Sequence, residues 1–206
     1  MKNKVLELDH CHIIIAEITE TTEELIPLLE NFHSYENEFN QIKAAKRKKE
    51  YISVRILVNI LMQKNVIIAY DNVHKPYLIN SEYTISISHS GIYFALMVSR
   101  KGLAGIDIEG RTNRVFKVRE RYLDRNELEF MMVDNGDTRA LEIAWSAKEA
   151  LYKVIGNEAY DFHTLKIKPF HADLQGSLKA NFEPAEKEFT LHYIQNEDYT
   201  LVYCYS

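Results

Sequence analysis

Two short stretches carry residue types that could do chemistry together. Trp145-Ser146-Ala147-Lys148-Glu149-Ala150-Leu151-Tyr152-Lys153 has helical spacing, so Glu149 and Lys153 fall one turn apart and place a carboxylate beside an ammonium. Alone, such a pair is most often a solvated ion pair. The second stretch, Gly105-Ile106-Asp107-Ile108-Glu109, alternates apolar and acidic residues, which reads as a strand with both carboxylates on one face. Like charges so close are unfavourable unless a cation lies between them or one is protonated, so the pair points either to a metal site or to a solvent-facing strand end.

The elements that must position these residues follow from patterning. A helix is predicted from about Thr138 to Ile155, with Asp137 and Thr138 able to cap its start and Gly156 able to end it. Trp145, Glu149, Tyr152 and Lys153 then share one side of it. Ile92 to Ser99 and Leu103 to Glu109 read as a hairpin around Arg100-Lys101-Gly102, with Asp107 and Glu109 delivered at a strand end. Upstream, His12 to Glu17 is a β-branched strand, a helix starts at Thr21, and a long helix from about Ile42 to Met62 buries Ile52, Ile56 and Ile60. Val66 to Tyr70 and Tyr83 to Ser88 read as strands, and Val115 to Met131 as one helix or two short ones. Thr164 to Pro169, Gly176 to Asn181, Glu188 to Tyr193 and Thr200 to Tyr205 read as an antiparallel meander.

A chain of 206 residues can bury a sizeable core, and a formal net charge of −5 argues against wholesale binding of nucleic acid. Cys11 and Cys204 are too few for a disulfide framework or a cysteine-based zinc site. Glu7, Asp9 and His10 interrupt any signal-peptide core, and no apolar run approaches a membrane span, so the expected setting is cytoplasmic.

Further candidates lie ahead of the acidic strand. Lys46 to Lys49 form a basic run that reads as a solvated face or an anion-binding one. Arg55, within Ile52-Ser53-Val54-Arg55-Ile56-Leu57, would be costly to bury unpaired and requires an acidic partner, a cluster of carbonyls or a phosphate. Lys75-Pro76 is a stiff extended segment. Ser88 and His89, before Gly91, form a candidate phosphate-binding turn. Arg119, Arg121 and Arg125 are individually surface ion pairs, and together a patch that could meet an acidic protein.

The acidic strand followed by the WSAKEALYK helix resembles the hallmark motifs of the 4'-phosphopantetheinyl transferase superfamily, a (V/I)G(V/I)D-x-E strand and a (W/F)(S/C/T)xKE-(A/S)-xxK helix. Lys75-Pro76-Tyr77, Ile87-Ser88-His89-Ser90-Gly91 and the helix start at Lys49-Glu50-Tyr51 extend the likeness over Lys43 to Gly156, in the order of the long, surfactin-synthetase-activating type. The resemblance implies an α+β fold of two similar α/β lobes related by a pseudo-twofold. These are an N-terminal lobe over 1–100 on the coenzyme A 3'-phosphate and adenine side, and a C-terminal lobe over 101–206 with the carboxylates. The site would lie at their interface. It implies transfer of phosphopantetheine from coenzyme A to a serine of an apo acyl or peptidyl carrier protein by a cytoplasmic monomer. Asp107, Glu109 and Glu149 would hold Mg²⁺, Lys153 would stabilise the transferring phosphate, and Glu149 or Glu109 would take the serine proton. Lys49, Arg55, Lys75, Pro76, Ser88, His89, Lys148 and Lys153 would contact the coenzyme, with Lys148 either there or paired with a carboxylate. Trp145 is expected to pack the helix on the acidic strand. The sequence departs from the family at Lys49, where arginine is usual, and at His74, where glycine is usual. An Mg²⁺-dependent nucleotide-diphosphate hydrolase and a non-catalytic binding module are the rival readings.

Overall fold

The strands build two antiparallel sheets, each served by one long helix, in an α+β chain. The computed structural model describes residues 1–100, 102–111, 114–131, 138–156 and 161–205. It divides into two units, Met1–Lys101 and Gly102–Ser206.

In the first unit, β1 (Lys2–Glu7), β2 (Cys11–Glu17), β3 (Ile68–Tyr70), β4 (Pro76–Leu78), β5 (Thr84–Ser90) and β6 (Tyr93–Ser99) pair in the order β1-β2-β6-β5-β4-β3. Helix α1 (Thr22–Leu25) opens with a capping box, in which Thr21 N–H donates to Glu24 Oε2 at 2.8 Å and Glu24 N–H to Thr21 Oγ1 at 3.3 Å. Helices α2 (Glu36–Gln41) and α3 (Ala45–Met62) follow. Ile52 and Ile56 of α3 join Ile14, Leu96 and Val98 in the core, whereas Ile60, expected in the same buried stripe, is exposed.

In the second unit, β7 (Ala104–Gly110) precedes α4 (Arg114–Val118), α5 (Arg125–Met131) and α6 (Arg139–Ile155). The meander β8 (Leu165–Ile167), β9 (Gln175–Phe182), β10 (Lys187–Gln195) and β11 (Tyr199–Tyr205) then completes a sheet of order β7-β11-β10-β9-β8. The expected hairpin of β6 with β7 does not form. Both edges of β6 are taken, by β2 and by β5, so β7 joins the other sheet beside β11, with Val202 opposite Asp107 and Thr200 opposite Glu109. The first residue of the motif explains the packing. A Cβ at Gly105 would lie 2.3 Å from the carbonyl oxygen of Ala150, so only glycine lets β7 approach α6 this closely. Among the described residues, no helix is long and apolar enough to cross a membrane.

The start of α6 differs from its predicted cap. Thr138 is already in helical conformation, and its hydroxyl donates to Glu142 Oε1 at 3.3 Å instead of accepting from the first turn. Asp137 lies outside the described residues.

Candidate active site

Helix α6 is buried almost all round, and Trp145, Glu149, Tyr152 and Lys153 form the half-buried stripe that their spacing predicts. Lys153 leans on the acidic strand, its Nζ donating to Asp107 Oδ1 at 3.0 Å and to the carbonyl oxygen of Ile106 at 2.7 Å. Asp107 is 5 % exposed. Burial, then the negative charge of Asp107 and to a smaller degree of Glu109, pushes the Glu149 carboxyl up to about 7 against the pull of Lys153. The three carboxylates therefore sense one another across the contact of β7 with α6. They are hard oxygen donors of the kind Mg²⁺ prefers, and a cation there would relieve the repulsion that raises Glu149. The donor set fits such an ion by its chemistry. Among the described residues, however, no three histidine, cysteine or acidic side chains form a ready cation cage.

Trp145 packs among aromatic rings. Its ring meets Tyr122 edge-on at 5.1 Å and Phe162 at 5.9 Å, so it anchors the segments flanking α6.

Of its two expected places, Lys148 takes the one beside a carboxylate. Its side chain is 0 % exposed, and its Nζ lies 2.8 Å from Glu127 Oε1 while donating to the carbonyl oxygens of Tyr122 at 2.6 Å and Phe162 at 3.1 Å. A lysine has three N–H donors, and these partners occupy them inside the unit. Glu127 is absent from the candidates that the sequence offers. Its one signal there is Asp124-Arg125-Asn126-Glu127, a capping pattern at the start of α5, which the structure realises with both reciprocal bonds at 2.9 Å.

Arg55 is likewise enclosed. At 1 % exposure its guanidinium lies over Tyr51 and Tyr35, donates from Nη1 to the carbonyl oxygen of Tyr51 at 3.0 Å, and approaches Glu38 at 3.8 Å. It has one carbonyl partner, a more distant carboxylate and two aromatic faces, while its buried Nε and Nη2 have no hydrogen-bond partner among the described residues.

The remaining first-unit candidates are more open. His89 lies in β5, not in a turn, because the strand runs on to Ser90. Its Nε2 is 3.8 Å from Glu50 Oε2, which also accepts from Arg47 at 3.2 Å, so the end of β5 meets the first turns of α3, where Lys49 sits. Ser88 is buried beside it. Lys75 is exposed at the β3–β4 turn, and Pro76 pairs with Tyr70. His74 adopts φ +61°, the left-handed conformation for which glycine would be usual. The Asp71 carboxylate holds that turn, accepting from Val73 N–H at 3.0 Å and Lys75 N–H at 2.8 Å.

No curated protein matches the chain. Residues 104–204 match the family model of the 4'-phosphopantetheinyl transferase superfamily, a stretch that takes in the acidic strand, α6 and the meander and leaves the first unit outside it.

Proposed function

We propose that this chain moves the 4'-phosphopantetheine group of coenzyme A onto a serine of an apo acyl or peptidyl carrier protein, releasing adenosine 3',5'-bisphosphate. The observation that carries this reading is the grouping of Asp107, Glu109, Glu149 and Lys153 at the contact of β7 with α6, inside the stretch that matches the superfamily. Asp107, Glu109 and Glu149 would hold Mg²⁺, which when bound supplies positive charge to the pyrophosphate. Phosphoryl transfer depends mainly on positioning and charge, and the Lys153 ammonium, 25 % exposed beside Asp107, is placed to meet a phosphate oxygen. The serine oxygen forms a bond to the phosphorus bearing pantetheine, the bond from that phosphorus to the bisphosphate leaving group breaks with its electron pair, and a carboxylate takes the serine proton. Glu149 and Glu109 are the two candidates for that carboxylate, acting directly or through water. Lys49, Lys75, Pro76, Ser88 and His89 are the groups of the first unit proposed to receive the coenzyme. The reading takes the protein as a cytoplasmic monomer of the long, surfactin-synthetase-activating type.

Incubation with coenzyme A, Mg²⁺ and apo carriers of fatty-acid, polyketide and peptide synthetases will add one phosphopantetheine to a carrier serine, seen by intact-protein mass spectrometry. Replacing Lys153 with alanine will slow that transfer about 10²–10³-fold, the usual effect of removing one charge-stabilising donor. No mass shift on any carrier overturns the proposal, and release of phosphopantetheine without a carrier would establish the hydrolase instead.

A further inference from the structure

Strand β7 and helix α6 are joined beyond the carboxylates at a second place. Glu142 lies seven residues before Glu149, two turns along the same side of α6, and is 4 % exposed. Its Oε2 lies 2.9 Å from Arg111 Nε and accepts from Gln195 Nε2 at 3.1 Å and Thr200 Oγ1 at 3.3 Å. Arg111 follows the last residue of β7 and stands two positions after Glu109. Its Nη1 donates to the carbonyl oxygen of Asn196 at 3.0 Å, and its backbone N–H to that of Asp198 at 3.0 Å, so it also grips the β10–β11 turn. Thr200 is the strand partner of Glu109 itself.

We infer that Arg111 and Glu142 are a positioning pair for the carboxylate site, locking the end of β7 to the start of α6 and so fixing where Glu109 stands relative to Glu149. The inference rests on the transferase reading only for its activity readout. Gly105 against Ala150 sets the spacing of strand and helix on one side of the carboxylates, and the Arg111–Glu142 junction sets it on the other. The geometry uses the guanidinium as a fork, Nε to the carboxylate and Nη1 to a carbonyl, which a lysine ammonium cannot reproduce. A buried carboxylate with four donors around it is also a far more rigid anchor than an exposed ion pair.

The test compares wild type with Arg111→Ala, Arg111→Lys and Glu142→Gln by three readouts: thermal melting, Mn²⁺ binding followed by electron paramagnetic resonance, and the Mg²⁺ concentration giving half-maximal transfer. Loss of an outer-sphere support weakens metal binding about tenfold or more, so Arg111→Ala and Glu142→Gln will show that loss of Mn²⁺ affinity and a matching rise in Mg²⁺ requirement, with Arg111→Lys recovering part of it. A folded Arg111→Ala with wild-type Mn²⁺ affinity and Mg²⁺ requirement overturns the inference, whatever happens to its melting temperature. If Arg111→Ala does not fold, the other two variants decide by the same criterion. Absence of Mn²⁺ binding by the wild type also overturns it. Weakened Mn²⁺ binding in the variants of a protein that transfers nothing would uphold the positioning pair and remove the transferase reading.

Discussion

Lys148 and Lys153 belong to one helix, five positions apart, and both meet a carboxylate, yet their surroundings differ in every respect that decides function. Lys148 is closed in, with its ammonium held by Glu127 and two carbonyl oxygens, and burial pulls it below the ordinary lysine range against the pull of Glu127. Lys153 is a quarter exposed and shares Asp107 with a carboxylate, Glu149, that is held near neutrality. The first arrangement is balanced in charge and hydrogen bonds and has nothing left to offer a ligand. The second carries more carboxylates than cations, which costs stability and suits a polyanionic substrate brought in with a cation. A motif lysine therefore cannot be assigned a role by its place in the motif alone.

The largest effect that would sharpen this contrast is on the closed side. Glu127→Ala strands the Lys148 ammonium inside the unit and is expected to cost about 3–5 kcal/mol in denaturant unfolding, whereas adding Lys148→Met should restore much of the loss by removing the uncompensated charge. Failure of the double variant to recover would mean that the pair does more than neutralise itself.

On the open side, the sign reverses. The folded pKa of Glu149 lies above its ordinary value of 4.5, so the cost of ionising it appears as pH rises through 4.5 and is complete above about 7. A tenfold change in proton affinity is worth about 1.4 kcal/mol, which makes the whole cost about 3 kcal/mol. Glu149→Gln should thus stabilise the metal-free protein at pH 8, leave stability at pH 4 unchanged, and abolish transfer. Equal melting temperatures for the two proteins at pH 8 would break the comparison.

The smallest effect concerns the spacing between strand and helix. Gly105→Ala must push β7 away from Ala150 and Val154, at about 1–3 kcal/mol, and should impair the open site while leaving the Lys148 cluster intact. Carrier modification and the chemical shift of the Lys148 ammonium would separate the two.

Much of the open site is legible in the sequence because its periodicities are local. The half-buried stripe of α6 follows from spacings of three and four, and the shared face of Asp107 and Glu109 from alternation. The demand for partners at Arg55 is also readable, since burial of a guanidinium has few solutions. What escapes depends on distant chain. Glu127 turning inward to Lys148, and Arg111 to Glu142, join residues whose separation no local pattern encodes. The false hairpin has the same origin: Arg100-Lys101-Gly102 has turn-forming composition, but β2, from far upstream, claims the edge of β6. Strand β1 is hard to read because its residues are mostly exposed and half of them charged, leaving no buried alternation.

The pairing of β7 with β11 has a consequence for how the protein is made. The acidic strand is the first of its unit to leave the ribosome, yet its neighbour in the sheet is the last to be synthesised. Strands β1 to β6 all pair among themselves and precede Gly102, so the first unit can mature during synthesis. Asp107 and Glu109 must wait through almost a hundred further codons with one flank uncovered, and nascent chains arrested short of Tyr199 would leave the acidic strand without its sheet partner however well their earlier half had folded.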